Sequence, residues 1–115
     1  MEESCIFCKI ANKDVPAEIV YEDGDIIAFN DLNPQAPMHV LLIPKKHIRT
    51  VNELEEEDMG LIGKIVSKAK DLAGIERIDK DGYRLVINCN RGAGQEVFHL
   101  HVHLMGGRTF SWPPG

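Results

Sequence analysis

The chain has 115 residues, the size of one ordinary domain. Apolar residues make up 43% of it and charged residues 27%, a balance that excludes a disordered chain, a collagen-like repeat and a disulfide-stapled miniprotein. Lys and Arg number 13 against 18 Asp and Glu, and the net charge of −5 argues against general nucleic-acid binding while leaving room for a small phosphorylated ligand.

At the N-terminus, residues 1–5 lack the basic and apolar regions of a signal peptide. No stretch approaches the roughly 20 apolar residues of a membrane span, so no membrane partner is expected. An odd cysteine count, 3, points to a reducing cytoplasm rather than a disulfide framework. Residues 5–12 predict a short helical turn or knuckle that ends before Pro16. Residues 19–22 and 25–30 read as strands joined by Asp23-Gly24, a strong hairpin signal. Pro34 and Pro37 then open a loop, and the apolar run 39–43, closed by Pro44, suits a buried strand.

From Asn52 the period changes. Asn52 and Glu55 are spaced as an N-cap and its partner, and the acidic run 55–58 suits the positive end of a helix dipole. Leu61, Ile65, Ala69, Leu72 and their neighbours recur at helical spacing up to Gly74, read as the C′ residue. Residues 83–88 and 97–105 are two further strands, separated by a glycine-containing loop at 91–94, with Cys89 read as a core residue. About five strands and one long helix predict a single α+β domain over 1–115, with a mostly antiparallel meander.

Within the last of these strands, His99, His101 and His103 alternate with Leu100, Val102 and Leu104. Successive strand residues point to opposite faces, so the three imidazoles would line one face. A helix would instead scatter them, turning about 200° at each step of two residues. Such a trio could bind a metal. It could also divide labour around phosphorus, one neutral imidazole attacking and another donating to developing negative charge. The upstream loop, Arg91-Gly92-Ala93-Gly94-Gln95, favours phosphate chemistry, because its backbone N–H groups could approach oxygens unhindered by a Cβ. Cys5-x-x-Cys8 has three readings from its residues alone: a zinc ligand pair, a redox dithiol, or two small buried side chains.

His99-Leu100-His101-Val102-His103-Leu104-Met105 resembles the His-x-His-x-His-x-x signature of the histidine-triad superfamily. Residues 29–37, 39–47 and 106–108 and the Trp112-Pro113-Pro114-Gly115 ending are similar to its Hint branch. The resemblance implies a homodimer whose sheets join into one of about ten strands, and hydrolysis of the P–N bond of a nucleoside phosphoramidate, typically of AMP. It implies His101 as nucleophile, forming a nucleotidyl-histidine, with His103 at the phosphoryl oxygens and leaving amine. His39 would orient the nucleophile's other ring nitrogen. Asn88 and the stretch Gly94, Gln95, Glu96 and Val97 would hold the phosphate and ribose side, with Asp31 on the ribose hydroxyls. Phe29, Leu32, Ile10 and Phe7 would wall the purine base, and Trp112 would reach the partner's site.

Two positions depart from the family pattern. Glu96 stands where many Hint proteins carry Ser, and an ionised carboxylate there is expected to point away or to engage the amine end of the substrate. The Cys5/Cys8 pair is usually missing from animal Hint proteins, while other branches use a similar pair for zinc. By that analogy His47 and His99 complete a structural Zn²⁺ site, which would leave His101 and His103 for chemistry. The functional alternatives are a dinucleoside polyphosphate hydrolase and a nucleotide-binding regulatory or protein-interaction module.

Overall fold

The computed structural model describes residues 4–115; residues 1–3, part of the stretch read for a signal peptide, lie outside the described residues. A short helix α1 (Ile6–Ala11) leads into the hairpin β1 (Ile19–Glu22) and β2 (Ile26–Asn30), followed by β3 (Met38–Pro44). Asp23 closes the hairpin, its Oδ1 accepting from the N–H groups of Asp25 and Ile26. The long helix α2 (Met59–Ile75) precedes β4 (Tyr83–Val86) and β5 (Val102–Gly106).

The described strands form one five-stranded antiparallel sheet in the order β1-β2-β3-β5-β4. A simple meander would put β4 beside β3. Here α2 carries the chain across the sheet, β4 takes the far edge, and β5 returns between β3 and β4. Alternation sorts the side chains into two faces. Ile26, Ala28, Val40, Leu42, Val102 and Leu104 pack against Ile65, Ala69, Leu72 and Ala73 of α2. Ile27, Phe29, Leu41 and Ile43 point the other way and are covered by Cys5, Phe7, Cys8 and Ile10 at α1. No helix of the described residues is long and apolar enough to cross a membrane.

Several local expectations are corrected. The entry to α2 is two 3-10 turns, Val51–Glu53 and Glu56–Asp58, and Thr50 rather than Asn52 caps the first, accepting from the Asn52 N–H. Asp58 starts the long helix: its Oδ2 accepts from the Glu55 N–H at 2.9 Å, and Lys46 Nζ sits 2.6 Å from its Oδ1. Gly74 lies inside α2. The left-handed residue is Arg77 (φ 61°), and Ile78 N–H closes on the Ala73 carbonyl in a Schellman-type end. The fourth strand stops at Val86, so Cys89 lies outside it and is only half-buried. The last strand begins at Val102, not at Val97.

Candidate active site

The late start of β5 changes how the histidines are held. Of His99, His101 and His103, only His103 belongs to the sheet, where Leu41 is its partner on β3. His99 and His101 precede the strand in extended chain outside the ladder, both buried, at 0% and 8% exposure. The three rings therefore do not form a regular row on one strand.

Hydrogen-bond partners set the tautomers of these rings. His99 Nε2–H donates to the Pro44 carbonyl at 2.7 Å, which leaves its Nδ1 lone pair free. That atom lies 3.3 Å from Cys5 Sγ, 3.5 Å from Cys8 Sγ and 3.2 Å from His47 Nδ1. Cys8 Sγ in turn lies 3.3 Å from His47 Nδ1, and all four ligand atoms fall within 4.8 Å of one another. A tetrahedral ion with Zn–N near 2.0–2.1 Å and Zn–S near 2.3 Å separates its ligands by about 3.3–3.8 Å. The donor set of two sulfurs and two imidazoles fits such an ion, and it joins α1, the segment after β3 and the segment before β5. A redox dithiol lacks the thioredoxin-like setting in this fold.

His101 Nδ1–H donates to the His99 carbonyl at 2.8 Å, so its Nε2 carries the lone pair. The expectation that His39 orients this ring is corrected, since the partner is the backbone of His99. His39 instead meets His103: its Nε2 is 2.9 Å from His103 Nδ1 and 3.4 Å from Asp31 Oδ2. The Gln35 N–H donates to His39 Nδ1 at 3.0 Å, which places the His39 proton on Nε2 and makes that atom a donor to His103. The His103 proton is then on Nε2. Asp31, His39 and His103 are close enough to hold an ion, but a protonated His39 Nε2 is no ligand. The hydrogen bond joins the two rings, and the Asp31 carboxylate, 3.4 Å from the same Nε2, acts on them through its charge.

Burial governs the charge of these rings. It lowers His101 below the usual histidine value, and it lowers His103 to about 4, helped by His101 and His39 and opposed by Asp31. Burial also lowers His39, again opposed by Asp31. His99, the most enclosed, is pushed down to about 4, mainly by burial. Each of these shifts favours the neutral ring at pH 7, the form in which an imidazole nitrogen has a lone pair to offer.

The remaining expected residues divide. Phe7 and Phe29 stack edge-on at 5.4 Å, and Phe7 stands perpendicular to the His101 ring at 5.1 Å. Ile10 is buried with them, and Val97 packs against the same cluster. Leu32 is 96% exposed, out on the loop after β2, and forms no wall within this chain. Asp31 is half committed to its turn, Oδ1 accepting from the Asn33 N–H, while Oδ2 faces the histidines. Asn88 is half-buried beyond the end of β4. Gln95 is buried and its amide is used within the protein, donating to the Arg49 and Val97 carbonyls and accepting from the Asn90 N–H. The glycine loop likewise uses the N–H groups of Ala93, Gly94 and Gln95 to close its own turn. Those of Glu96 and Val97 lie outside these turn bonds. Glu96 is exposed, beside a shallow cavity of about 280 Å³ that His47, Arg49 and Phe98 also line.

Sequence reasoning missed Gln35, whose contribution is a backbone N–H and leaves no side-chain signal. It also missed the Pro44 carbonyl, which sets the tautomer of His99.

The HIT domain family matches residues 12–110 of the chain. An uncharacterised HIT-like protein of Synechocystis sp. is 53% identical over 115 residues, covering 100% of both chains. The purine nucleoside phosphoramidase of Escherichia coli K12 is 47% identical over 108 residues, covering 94% of this chain and 91% of that protein. Among solved structures, the HIT family hydrolase of Legionella pneumophila superposes with a TM-score of 0.96 at 54% identity, covering 97% of this chain and 100% of that one.

Proposed function

The chain belongs to the HIT domain family, and from that premise we propose that it hydrolyses the P–N bond of nucleoside 5′-phosphoramidates, adenosine phosphoramidates among them. The observation that carries this reading is the 2.8 Å bond from His101 Nδ1–H to the His99 carbonyl, which presents Nε2 as a neutral nucleophile. His101 Nε2 attacks the α-phosphorus and a P–N(His) bond forms as the bond to the amine breaks. The departing amine takes the electron pair and a proton from water, while the His103 Nε2–H donates a hydrogen bond to a phosphoryl oxygen and keeps its proton. A second water then attacks phosphorus and gives up a proton to solvent, releasing the nucleoside monophosphate and restoring the neutral imidazole. The His99 carbonyl favours the intermediate, because the ring becomes positive when Nε2 is phosphorylated and its Nδ1–H bond becomes charge-assisted.

His39 acts through His103, fixing its tautomer. Asp31 Oδ2 would accept from the ribose hydroxyls, Phe7, Phe29 and Ile10 would supply apolar surface for the base, and the Glu96 and Val97 N–H groups would face the phosphate. Cys5, Cys8, His47 and His99 would hold a zinc ion, whose chemistry is that of a structural cross-link. The active form in this reading is a homodimer, with Trp112, 85% exposed in the single chain, reaching the partner's site.

The test is turnover of an adenosine 5′-phosphoramidate beside a diadenosine polyphosphate, with His101→Ala as control. Release of amine from the first substrate, lost by at least about 1,000-fold in the variant, is expected. Turnover of the second alone would replace the reading with a dinucleoside polyphosphate hydrolase, and an active variant would remove the mechanism.

A further inference from the structure

The chain between Val97 and His101 carries the nucleophile of the proposed reaction, yet it lies outside the strand. The β3–β5 ladder begins at the pair Leu42 and Val102 and continues away from the nucleophile. Three contacts hold the segment in place of a ladder. The His99 ring is fixed by the Pro44 carbonyl on one side and by the Cys5, Cys8 and His47 donors on the other. The Leu100 N–H donates to the Ile48 carbonyl at 2.7 Å. Phe7 lies between the two cysteines of α1 and sets its edge against both His99, at 6.0 Å, and His101, at 5.1 Å and 90°. The four-ligand cluster thus reaches the nucleophile twice, through the backbone of its own ligand His99 and through the Phe7 ring.

We infer that the Cys5/Cys8/His47/His99 cluster, when it holds its metal, positions the His101 imidazole in one tautomer through the His99 carbonyl and the Phe7 ring. The inference rests on the proposed role of His101, but its physical content concerns the ring alone. A metal bound among these four ligand atoms, all within 4.8 Å of one another, would fix the His99 ring from the side opposite the Pro44 carbonyl, and removing it would loosen the residue whose carbonyl holds His101. His99, Phe7, Cys5, Cys8 and His47 are positioning residues here, since they act through His101.

Nitrogen-15 spectra of the histidine rings report the tautomer directly. Zinc-loaded protein is expected to show His101 with a protonated Nδ1 and an unprotonated Nε2. Protein stripped by a chelator under reducing conditions, and still folded by circular dichroism, is expected to show both tautomers in exchange. Its kcat should fall on the order of 10- to 100-fold with a smaller change in KM, and zinc should restore both readouts. An unchanged His101 spectrum and kcat in the stripped, folded protein would overturn the inference. Should stripping unfold the chain, Phe7→Leu at full zinc loading decides: tautomer exchange at His101 supports the coupling, and a spectrum identical to the parent protein overturns it. The spectra need no substrate, so failure to cleave phosphoramidates would sink the functional proposal while leaving this one to stand or fall on its own.

Discussion

At the scale of single residues, the backbone decides what each imidazole can do. His101 presents a lone pair at Nε2, as the proposed nucleophile must, because a carbonyl occupies Nδ1, and His103 is a donor at Nε2 because His39 occupies its Nδ1. The spacing of the histidines was legible in the sequence, since alternation with aliphatic residues has few other meanings. Their tautomers were not, because the deciding partners are main-chain groups at Gln35, Pro44 and His99 that no side chain announces. Burial keeps His101 neutral to lower pH than an ordinary histidine, whose value is 6.5. The acid limb of kcat/KM in a pH–rate profile is therefore expected below 6.5, and a limb above that value would count against His101 as the attacking group. Asp31 raises the His39, His101 and His103 values, opposing burial. Asp31→Asn should accordingly move the acid limb further down in pH, and should raise KM as well if the carboxylate binds ribose. An acid limb that moves up would reverse the electrostatic assignment.

At the scale of elements, the sequence was most reliable where periodicity has one solution. Helix α2 buries Ile65, Ala69, Leu72 and Ala73 at the expected spacing, and the two faces of β2 and β3 sort cleanly. The last strand begins five residues later than the alternation of 97–105 predicts. An extended chain alternates its side chains whether or not a neighbour bonds to it, so the pattern of 97–105 cannot reveal where the ladder begins. Beyond Leu42, β3 ends at Pro44, which has no N–H to offer, and its carbonyl is taken by the His99 side chain. The position of β4 was also hidden, because strand order depends on where α2 delivers the chain. Gly106 shows how tightly this arrangement is packed. It pairs with Met38 on one side and Tyr83 on the other, and a Cβ there would collide with Ile78 Cδ1 and lie 3.2 Å from Ile78 Cβ and Cγ1. Gly106→Ala is expected to cost about 1–3 kcal/mol by overpacking, read as a lower urea midpoint with an unchanged m-value. A midpoint equal to the parent protein's would mean that the Ile78 segment yields without cost.

At the scale of the whole molecule, the sheet separates two tasks. One face is covered by α2 with an apolar core, while the other gathers α1, the four-ligand cluster and the hydrogen-bonded His39–His103 pair. The second face buries titratable rings, and this links stability to pH in a definite direction. His103 titrates at about 4 in the folded chain and near 6.5 when unfolded. Above pH 6.5 both states leave it neutral and it contributes no pH dependence. Between 6.5 and about 4 the unfolded chain binds the proton and the folded chain resists it, so stability falls as pH falls and levels off below the folded value. Asp23 and Asp58 are lowered from ordinary values that already lie near 4, so their losses begin at more acidic pH. Metal ligands also compete with protons in the higher window, so the His103 contribution is isolated by comparing the parent chain with His103→Asn at equal zinc loading. Urea midpoints measured from pH 7.5 to 4.5 should fall more steeply in the parent chain than in the variant. Parallel curves would show that His103 is not held neutral by the fold, and with that the case for a neutral donor at its Nε2 would fail.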